Sequence, residues 1–355
     1  LISIIACKTG LTFALLTRYS FGSSGSKAAS IFVPVVNLGW YTIQAATYGH
    51  FVAQVFHMGQ VGEGLCMAAS AIIMGIFAMF GISAITILGY IAIPAIVFLS
   101  IATAIRSLGV IGGVDALFSY LPAANMPLFT GITAVIGTWV LSTATCIADI
   151  MRYAKDTKTA ISATLTGLLG GNILMIVCGA IAAIAMENSD LTVILLGFGL
   201  VIPSLILMTT NIFTTNAANL YSTSLNLSNA FKMERKKMLA ILLALSALAT
   251  LTKPYEIGFL FTFLNILGTV VPPLSGIILS DYFLVHKGSY AAYDKARFCK
   301  WNPVPWITWA ISIALVYMIP FGLPSLNGII LGAAIYTALM AVNKQRAAGS
   351  IAEEA

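Results

Sequence analysis

Two apolar blocks lie almost back to back in this chain. One runs from Leu65 to Phe80, the next from Ile82 to Ile105, and neither carries a charge. A stretch of about 20 such residues is long enough to cross the hydrocarbon of a bilayer. Membrane strands would instead show alternating segments of about ten residues. A continuous apolar run in lipid must be helical, because a helix satisfies its own backbone hydrogen bonds. Composition removes the alternatives. Of 355 residues, 59% are apolar and 8% charged, with mean hydropathy +0.96. A soluble domain carries about 25% charged residues, and disordered chains are polar and charged. The length alone would suggest two soluble domains of about 150 residues, but a globule with so few charges could not cover its surface. The fold class is therefore an all-α polytopic membrane protein.

Apolar patterning predicts a partial span over 1–16. Ten complete helices follow, over 31–56, 64–80, 82–107, 126–150, 160–186, 191–222, 236–252, 255–281, 304–320 and 323–342. Residues 1–342 then form one transmembrane domain and 343–355 a cytoplasmic tail. Several spans exceed the length needed to cross, so they tilt, break or protrude. Pro272-Pro273 is expected to bend span 255–281, and Pro94 and Pro203 to kink theirs, because proline removes a helix hydrogen bond. The chain opens Leu1-Ile2-Ser3-Ile4-Ile5, inside a hydrophobic segment and without an initiator Met. The expectation is a fragment lacking upstream helices rather than a product of signal cleavage.

Loop charges orient the bundle. With the end of the first segment placed on one side, sixteen of the 18 Lys and Arg fall there, against Arg106 and Lys253 on the other. The positive side is cytoplasmic, and the net charge of +6 resides in these loops, so no nucleic-acid partner is implied. The lipid bilayer is the partner that the composition demands. Cys7, Cys66, Cys146, Cys178 and Cys299 form no C-x-x-C pair and read as small packing residues rather than as a disulfide or metal framework.

No nucleotide-binding, zinc-protease or serine-hydrolase signature occurs, and the three histidines lack metal-ligand spacing. The chain reads as no enzyme and implies no cofactor. The informative residues are neutral polar groups inside the spans, which in a membrane face a partner helix, the bundle interior or a ligand. Asn37, Trp40, Gln44 and Thr47 share one face of span 31–56. That face reads either as a stacking plate flanked by carboxamides, suited to a flat heterocycle, or as an interhelical hydrogen-bonded seam with a packed Trp. The segment Gly137 to Thr145, with Trp139 and Ser142, reads either as a discontinuous helix of the transporter kind or as a continuous helix of small packing residues. On span 191–222, Asn211, Thr215 and Asn219 recur at i, i+4 and i+8, with Thr214 and Asn216 beside them. These neutral oxygens suit a monovalent cation such as Na⁺; a polar seam between helices is the other reading. Asp149 and Asp281 are expected at solvated cytoplasmic helix ends, with Asp149 paired to Arg152.

Several short segments together resemble a known family. They are Lys8-Thr9-Gly10-Leu11 with Arg18-Tyr19-Ser20-Phe21-Gly22, Gly39-Trp40, Phe80-Gly81-Ile82-Ser83-Ala84, and Ala148-Asp149 with Arg152. Asn211-Ile212-Phe213-Thr214-Thr215-Asn216, Pro272-Pro273 and Ser280-Asp281-Tyr282 complete the set. In this order they resemble the nucleobase:cation symporter-1 family, and within it the cytosine permease-like branch. The resemblance implies a LeuT-like fold of two inverted five-helix repeats plus two C-terminal helices, with helix 1 and most of helix 2 missing from this chain. It implies a symporter that imports a nucleobase, cytosine first, with Na⁺ or H⁺ as coupling ion.

The same resemblance implies substrate contacts at Trp40, Trp139, Ser142 and Asn216 or Asn219, and the carboxamides Asn37 and Gln44 beside Trp40 are expected to read the edge of the base. The base would be sandwiched between Trp40 and Trp139. It further implies a partial Na⁺ site of Asn211, Thr214 and Thr215. Asn37 stands where cytosine permeases carry Gln, and Gln44 is similar to the hydantoin and allantoin branch. The substrate set therefore extends to purines, uracil, hydroxymethylpyrimidine and hydantoin-like rings. A chain truly lacking the upstream helices would be a non-transporting remnant. Oligomeric state is left open.

Overall fold

The computed structural model describes residues 1–79, 82–122, 126–141, 146–188, 191–199 and 201–353, and every regular element among them is a helix. In chain order these are α1 (Ile2–Thr9), α2 (Phe13–Val55), α3 (Gln60–Met79), α4 (Ile82–Ile111), α5 (Val114–Phe118), α6 (Leu128–Leu141), α7 (Ile147–Met151) and α8 (Thr157–Leu165). There follow α9 (Asn172–Met186), α10 (Leu191–Gly197), α11 (Val201–Phe231), α12 (Arg235–Thr250), α13 (Ile257–Val270), α14 (Pro272–Ser280), α15 (Val304–Met318) and α16 (Pro324–Glu353). Four stretches are long and apolar enough to cross a membrane by themselves: Gly89–Ile111, Thr157–Met186, Ile257–Val285 and Pro324–Asn343. The long helices α2 and α11 are not among them, because they carry the polar faces. The chain divides into two compact units.

The first unit comprises Leu1–Val33, Met126–Thr164 and Ile257–Ala355. Helix α1 stops at Gly10, whose φ of 70° closes it in the left-handed region that glycine tolerates. The first apolar segment therefore ends earlier than the sequence predicts, and α2 starts at Phe13 rather than near 31. Asp149 on α7 promotes that start. Its Oδ1 accepts the Phe13 N–H at 2.9 Å, placing a carboxylate at a helix N-terminus, where the dipole favours it. Asp149 is thus a half-buried cap rather than a solvated end.

Gly22 (φ 82°, ψ 173°) interrupts α2. The backbone groups freed by the interruption pair with the linker between α14 and α15. Ser23 and Ser24 N–H donate to the carbonyls of Cys299 and Lys300 at 2.9 and 2.8 Å, and Asn302 N–H donates to Phe21 O at 3.1 Å. A Cβ at Gly22 would lie 2.6 Å from Cys299 O, so both conformation and space require glycine. The Ser- and Lys-bearing stretch 17–30 reads as a loop by polarity alone, yet this pairing lets it continue as helix on either side of the break.

The bend expected at Pro272-Pro273 is present. It divides α13 from α14 at Val271. Pro272 has no N–H for the carbonyl of Gly268, and the Ser325 hydroxyl from α16 takes that acceptor at 2.7 Å. Trp309 Nε1 donates to Val270 O at 2.8 Å. Helices α14 and α16 touch through glycine: a Cβ on Gly276 would lie 2.2 Å from Ile329 O, and one on Gly332 2.4 Å from Pro273 O. Small residues let membrane helices approach this closely.

The second unit comprises Pro34–Asn125 and Leu165–Glu256. Within it α4 packs on α9 and α11, and α3 packs on α12 and α11. Gly49 on α2 sits against the Met67 backbone of α3, where a Cβ would lie 2.3 Å from Met67 Cα. The single span predicted over 191–222 is two helices. The chain turns at Gly199 with φ 67°, and α11 runs on to Phe231. Pro203 accordingly lies in the first turn of α11 rather than kinking a span. A missing N–H is harmless there. Pro94 lies within α4, which is continuous through it. A π-helical turn, Thr166–Gly171, joins α8 to α9.

Candidate functional site

In the second unit the polar face of α2 meets α3, α11 and α12. Tyr41 and Tyr48 set its register. The Tyr41 hydroxyl donates to Ala71 O on α3. Tyr48 OH lies 2.8 Å from Thr209 Oγ1, and its ring packs edge-on against Phe213 at 5.4 Å. Thr42 bonds Ser246 of α12 at 3.2 Å. These anchors fix the neighbouring face that carries Asn37, Trp40 and Gln44. Asn37 is 2% exposed, while Trp40 and Gln44 are half-buried. Gln44 Oε1 is buried without a hydrogen-bond partner. A buried amide oxygen without a donor is costly, which is the arrangement expected of a group that awaits a ligand. Thr47 instead turns its hydroxyl back to Ile43 O.

The residues of α11 divide into two groups. Asn216 is fully buried and ties three helices, since Nδ2 donates to Tyr41 O at 3.2 Å and lies 3.2 Å from Met74 Sδ. It behaves as an interhelical bolt, with Oδ1 left over. Asn219 is half-buried and makes no such bridge.

Thr214 Oγ1 donates to Thr210 O and Asn211 O at 2.8 and 2.9 Å, and Thr215 Oγ1 to Asn211 O at 3.0 Å. With their hydrogens committed, both hydroxyls keep lone pairs for a hard cation. The Asn211 carbonyl accepts from both, so the oxygens on offer are hydroxyl rather than backbone. Thr215 is exposed and Thr214 half-buried.

In the first unit, Trp139 is half-buried on α6. Gly137 lies where α6 meets α13. A Cβ there would come within 2.2 Å of Leu264 O, so this glycine serves close packing. Ser142, and the expected helix discontinuity through Thr145, lie outside the described residues.

Two clusters escaped sequence reasoning. Asp281 is not at a solvated end: it is 0% exposed, and its oxygens accept from Tyr336 OH at 2.7 Å and Tyr290 OH at 2.6 Å. Its partners lie nine and 55 residues away, a separation with no periodic signal. In the second unit Glu63 accepts from Tyr255 at 2.7 Å and His50 at 2.8 Å, and pairs with Lys253 at 3.2 Å. Burial pushes the Glu63 carboxyl upward, but these hydrogen bonds and the Lys253 charge outweigh it and hold the group at about 2. Glu63 precedes the span over 64–80, and Lys253 follows the span over 236–252, so both belong to one membrane face.

The fold matches solved transporters. An inward-facing structure of Mhp1 superposes with TM-score 0.79 at 20% identity, covering 97% of this chain and 81% of that one. A closed form of Mhp1, described as a nucleobase-cation-symport-1 family transporter with bromovinylhydantoin bound, gives 0.77, again at 20% identity, covering 96% of this chain and 80% of that one. The architecture is therefore all-α and LeuT-like. Among curated proteins, the cytosine permease of Escherichia coli (strain K12) is 30% identical over 335 residues, 94% of this chain and 78% of that protein. The hydantoin permease of Microbacterium maritypicum is 25% identical, over 89% of this chain and 70% of that protein. A family model described as permease for cytosine/purines, uracil, thiamine, allantoin matches residues 1–340. The helical fold, the polar faces of α2 and α11 and these matches have one reading: the chain is a multi-pass membrane transporter belonging to the cytosine/purine, uracil, thiamine and allantoin permease family.

Proposed function

We propose that this chain imports cytosine, or a planar heterocycle of similar edge chemistry, into the cytoplasm together with Na⁺. The observation that carries the reading is Gln44 Oε1, buried, without a donor and one helical turn from Trp40. A base stacked on the indole would bring an exocyclic amine or ring N–H to that oxygen. Asn37, on the same face, reads a second edge position. Asn219 is the better α11 candidate, since Asn216 already bridges helices. Trp139 is taken from the family resemblance as a second aromatic contact, and Ser142 likewise as a polar one. Na⁺ is favoured over H⁺ because the α11 oxygens are neutral hydroxyls. The C-terminus is cytoplasmic on the charge asymmetry of the loops.

The test is uptake of labelled cytosine by cells or proteoliposomes, with competing nucleobases and hydantoins. Trp40→Ala is expected to abolish saturable uptake while the protein still inserts; normal uptake would defeat the stacking model. Replacing external Na⁺ by choline is expected to stop uptake, and unchanged uptake would shift the coupling to protons. A competition profile led by hydantoin or allantoin would move the substrate to the branch that Gln44 resembles.

A further inference from the structure

The linker after α14 builds a second polar feature in the first unit. His286 follows directly on Val285, where Ile257–Val285, a stretch long and apolar enough to cross a membrane, ends, which puts it beside the end of an apolar span. Its neighbour Leu284 is 59% exposed, an apolar side chain beside the exit point. Beside His286 lies a recess of about 290 Å³ whose charged lining is Arg18, His286 and Arg297, with Tyr19 and Cys299 among the other walls. Three basic side chains therefore converge from two distant segments, and no carboxylate lines the space. Asp281 lies behind His286, its backbone oxygen 3.0 Å and its carboxylate Oδ2 3.5 Å from Nδ1, so the acid holds the far side of the ring and leaves Nε2 for a ligand. Asp294, the other nearby acid, is exposed outside the lining.

Arg18 is positioned rather than neutralised. Its guanidinium donates to Tyr293 OH and sits 5.8 Å from that ring's centroid. Among the described residues, neither Arg18 nor Arg297 has a carboxylate partner. Arginine is suited to phosphate through its planar set of donors. The recess also lies on the face where the chain's Lys and Arg concentrate, the side on which basic pockets meet anionic headgroups.

We propose that Arg18, His286 and Arg297 form a binding site for a phosphate group, supplied by an anionic phospholipid of the cytoplasmic leaflet. The site's existence is independent of which base is transported, and its readout involves no transport.

The experiment titrates phosphatidylglycerol into the protein reconstituted in phosphatidylcholine nanodiscs and follows thermal unfolding. The midpoint is expected to rise saturably by about 2–4 °C, and the rise should shrink in high salt. Arg297→Gln is the informative variant. Arg297 is exposed and makes no ion pair among the described residues, so the variant should unfold as the parent does in pure phosphatidylcholine. The lipid-dependent rise should be lost in Arg297→Gln and kept in Lys237→Gln, which removes a cation that is 74% exposed outside the recess. An unchanged rise in Arg297→Gln, or no saturable rise in the parent, overturns the site. An equal rise with inorganic phosphate overturns the lipid as its source and assigns the recess to free phosphate.

Discussion

The polar face of α2 and the carboxylate of Asp281 are both buried in an apolar chain, but their hydrogen bonding is opposite. Each Asp281 oxygen has a tyrosine donor, and the cluster joins α16, the π-helical turn Asp281–Val285 and the linker beyond it. Gln44 has an oxygen with no donor, and Thr214 and Thr215 hold acceptor capacity after spending their hydrogens. Polar density therefore does not distinguish architecture from a binding site. A surplus acceptor beside a stacking aromatic, as at Gln44 and Trp40, does so better than a surplus acceptor alone, since Asn216 Oδ1 is also unpartnered while its amide bolts helices together. A saturated cluster stabilises the fold, whereas an unsaturated one costs stability until its ligand arrives.

That contrast can be broken most decisively with paired substitutions. Asp281→Ala strands two buried hydroxyls, each worth about 1–3 kcal/mol, so its unfolding midpoint should fall by several degrees while the folded fraction keeps its uptake. Trp40→Ala should in turn lose uptake outright. If Asp281→Ala unfolds like the parent, the cluster is not structural. Gln44→Leu sharpens the other half. Losing one substrate hydrogen bond should raise the KM for uptake about tenfold, equivalent to about 1.4 kcal/mol. Stability should hold or rise, because an unpartnered amide has been removed. A destabilised Gln44→Leu with unchanged KM would make the face a seam.

Thr214→Val should raise the Na⁺ concentration for half-maximal uptake by a comparable or smaller factor, leaving the unfolding midpoint in the absence of Na⁺ nearly unchanged. Equal sodium dependence in the parent and the variant would remove Thr214 from the cation reading. The smallest effect belongs to Glu63. Its carboxyl is held near 2 in the folded protein against an ordinary 4.5. The resulting stabilisation is complete above about pH 5 and is lost as pH falls toward 2. Between pH 6 and pH 3, Glu63→Gln should show a flatter midpoint profile than the parent, and superimposable profiles would dissolve the cluster with His50, Lys253 and Tyr255.

The helices were legible wherever apolarity was continuous, as over 64–80 and 304–320, because burial in lipid and helical structure make the same demand on a sequence. Legibility failed where tertiary partners supplied what the local sequence lacked. Residues 17–30 look like a loop until Cys299, Lys300 and Asn302 are brought against Gly22. The turn at Gly199 lay hidden because the residues on both sides of it are equally apolar. For the candidate site, the i, i+3, i+4 spacing grouped Trp40 with Gln44 and Asn37, but it could not tell that Asn216 spends its amide on Tyr41 while Gln44 Oε1 remains unpaired. Asp281 was misplaced for the same reason. A carboxylate near a helix end looks solvated until Tyr290 and Tyr336 are seen to enclose it.

The pairing at Gly22 also sets an order of assembly. Ser23 and Ser24 need the carbonyls of Cys299 and Lys300, which leave the ribosome some 275 residues later. The second unit is complete once Glu256 has been made, and chains tend to fold as their units become available. The α2 segment around Gly22 is therefore finished only after the linker near Cys299 has been made. Until the linker arrives, the break in α2 exposes N–H groups with no protein partner, and that interval is when the nascent chain is most open to misassembly or proteolysis.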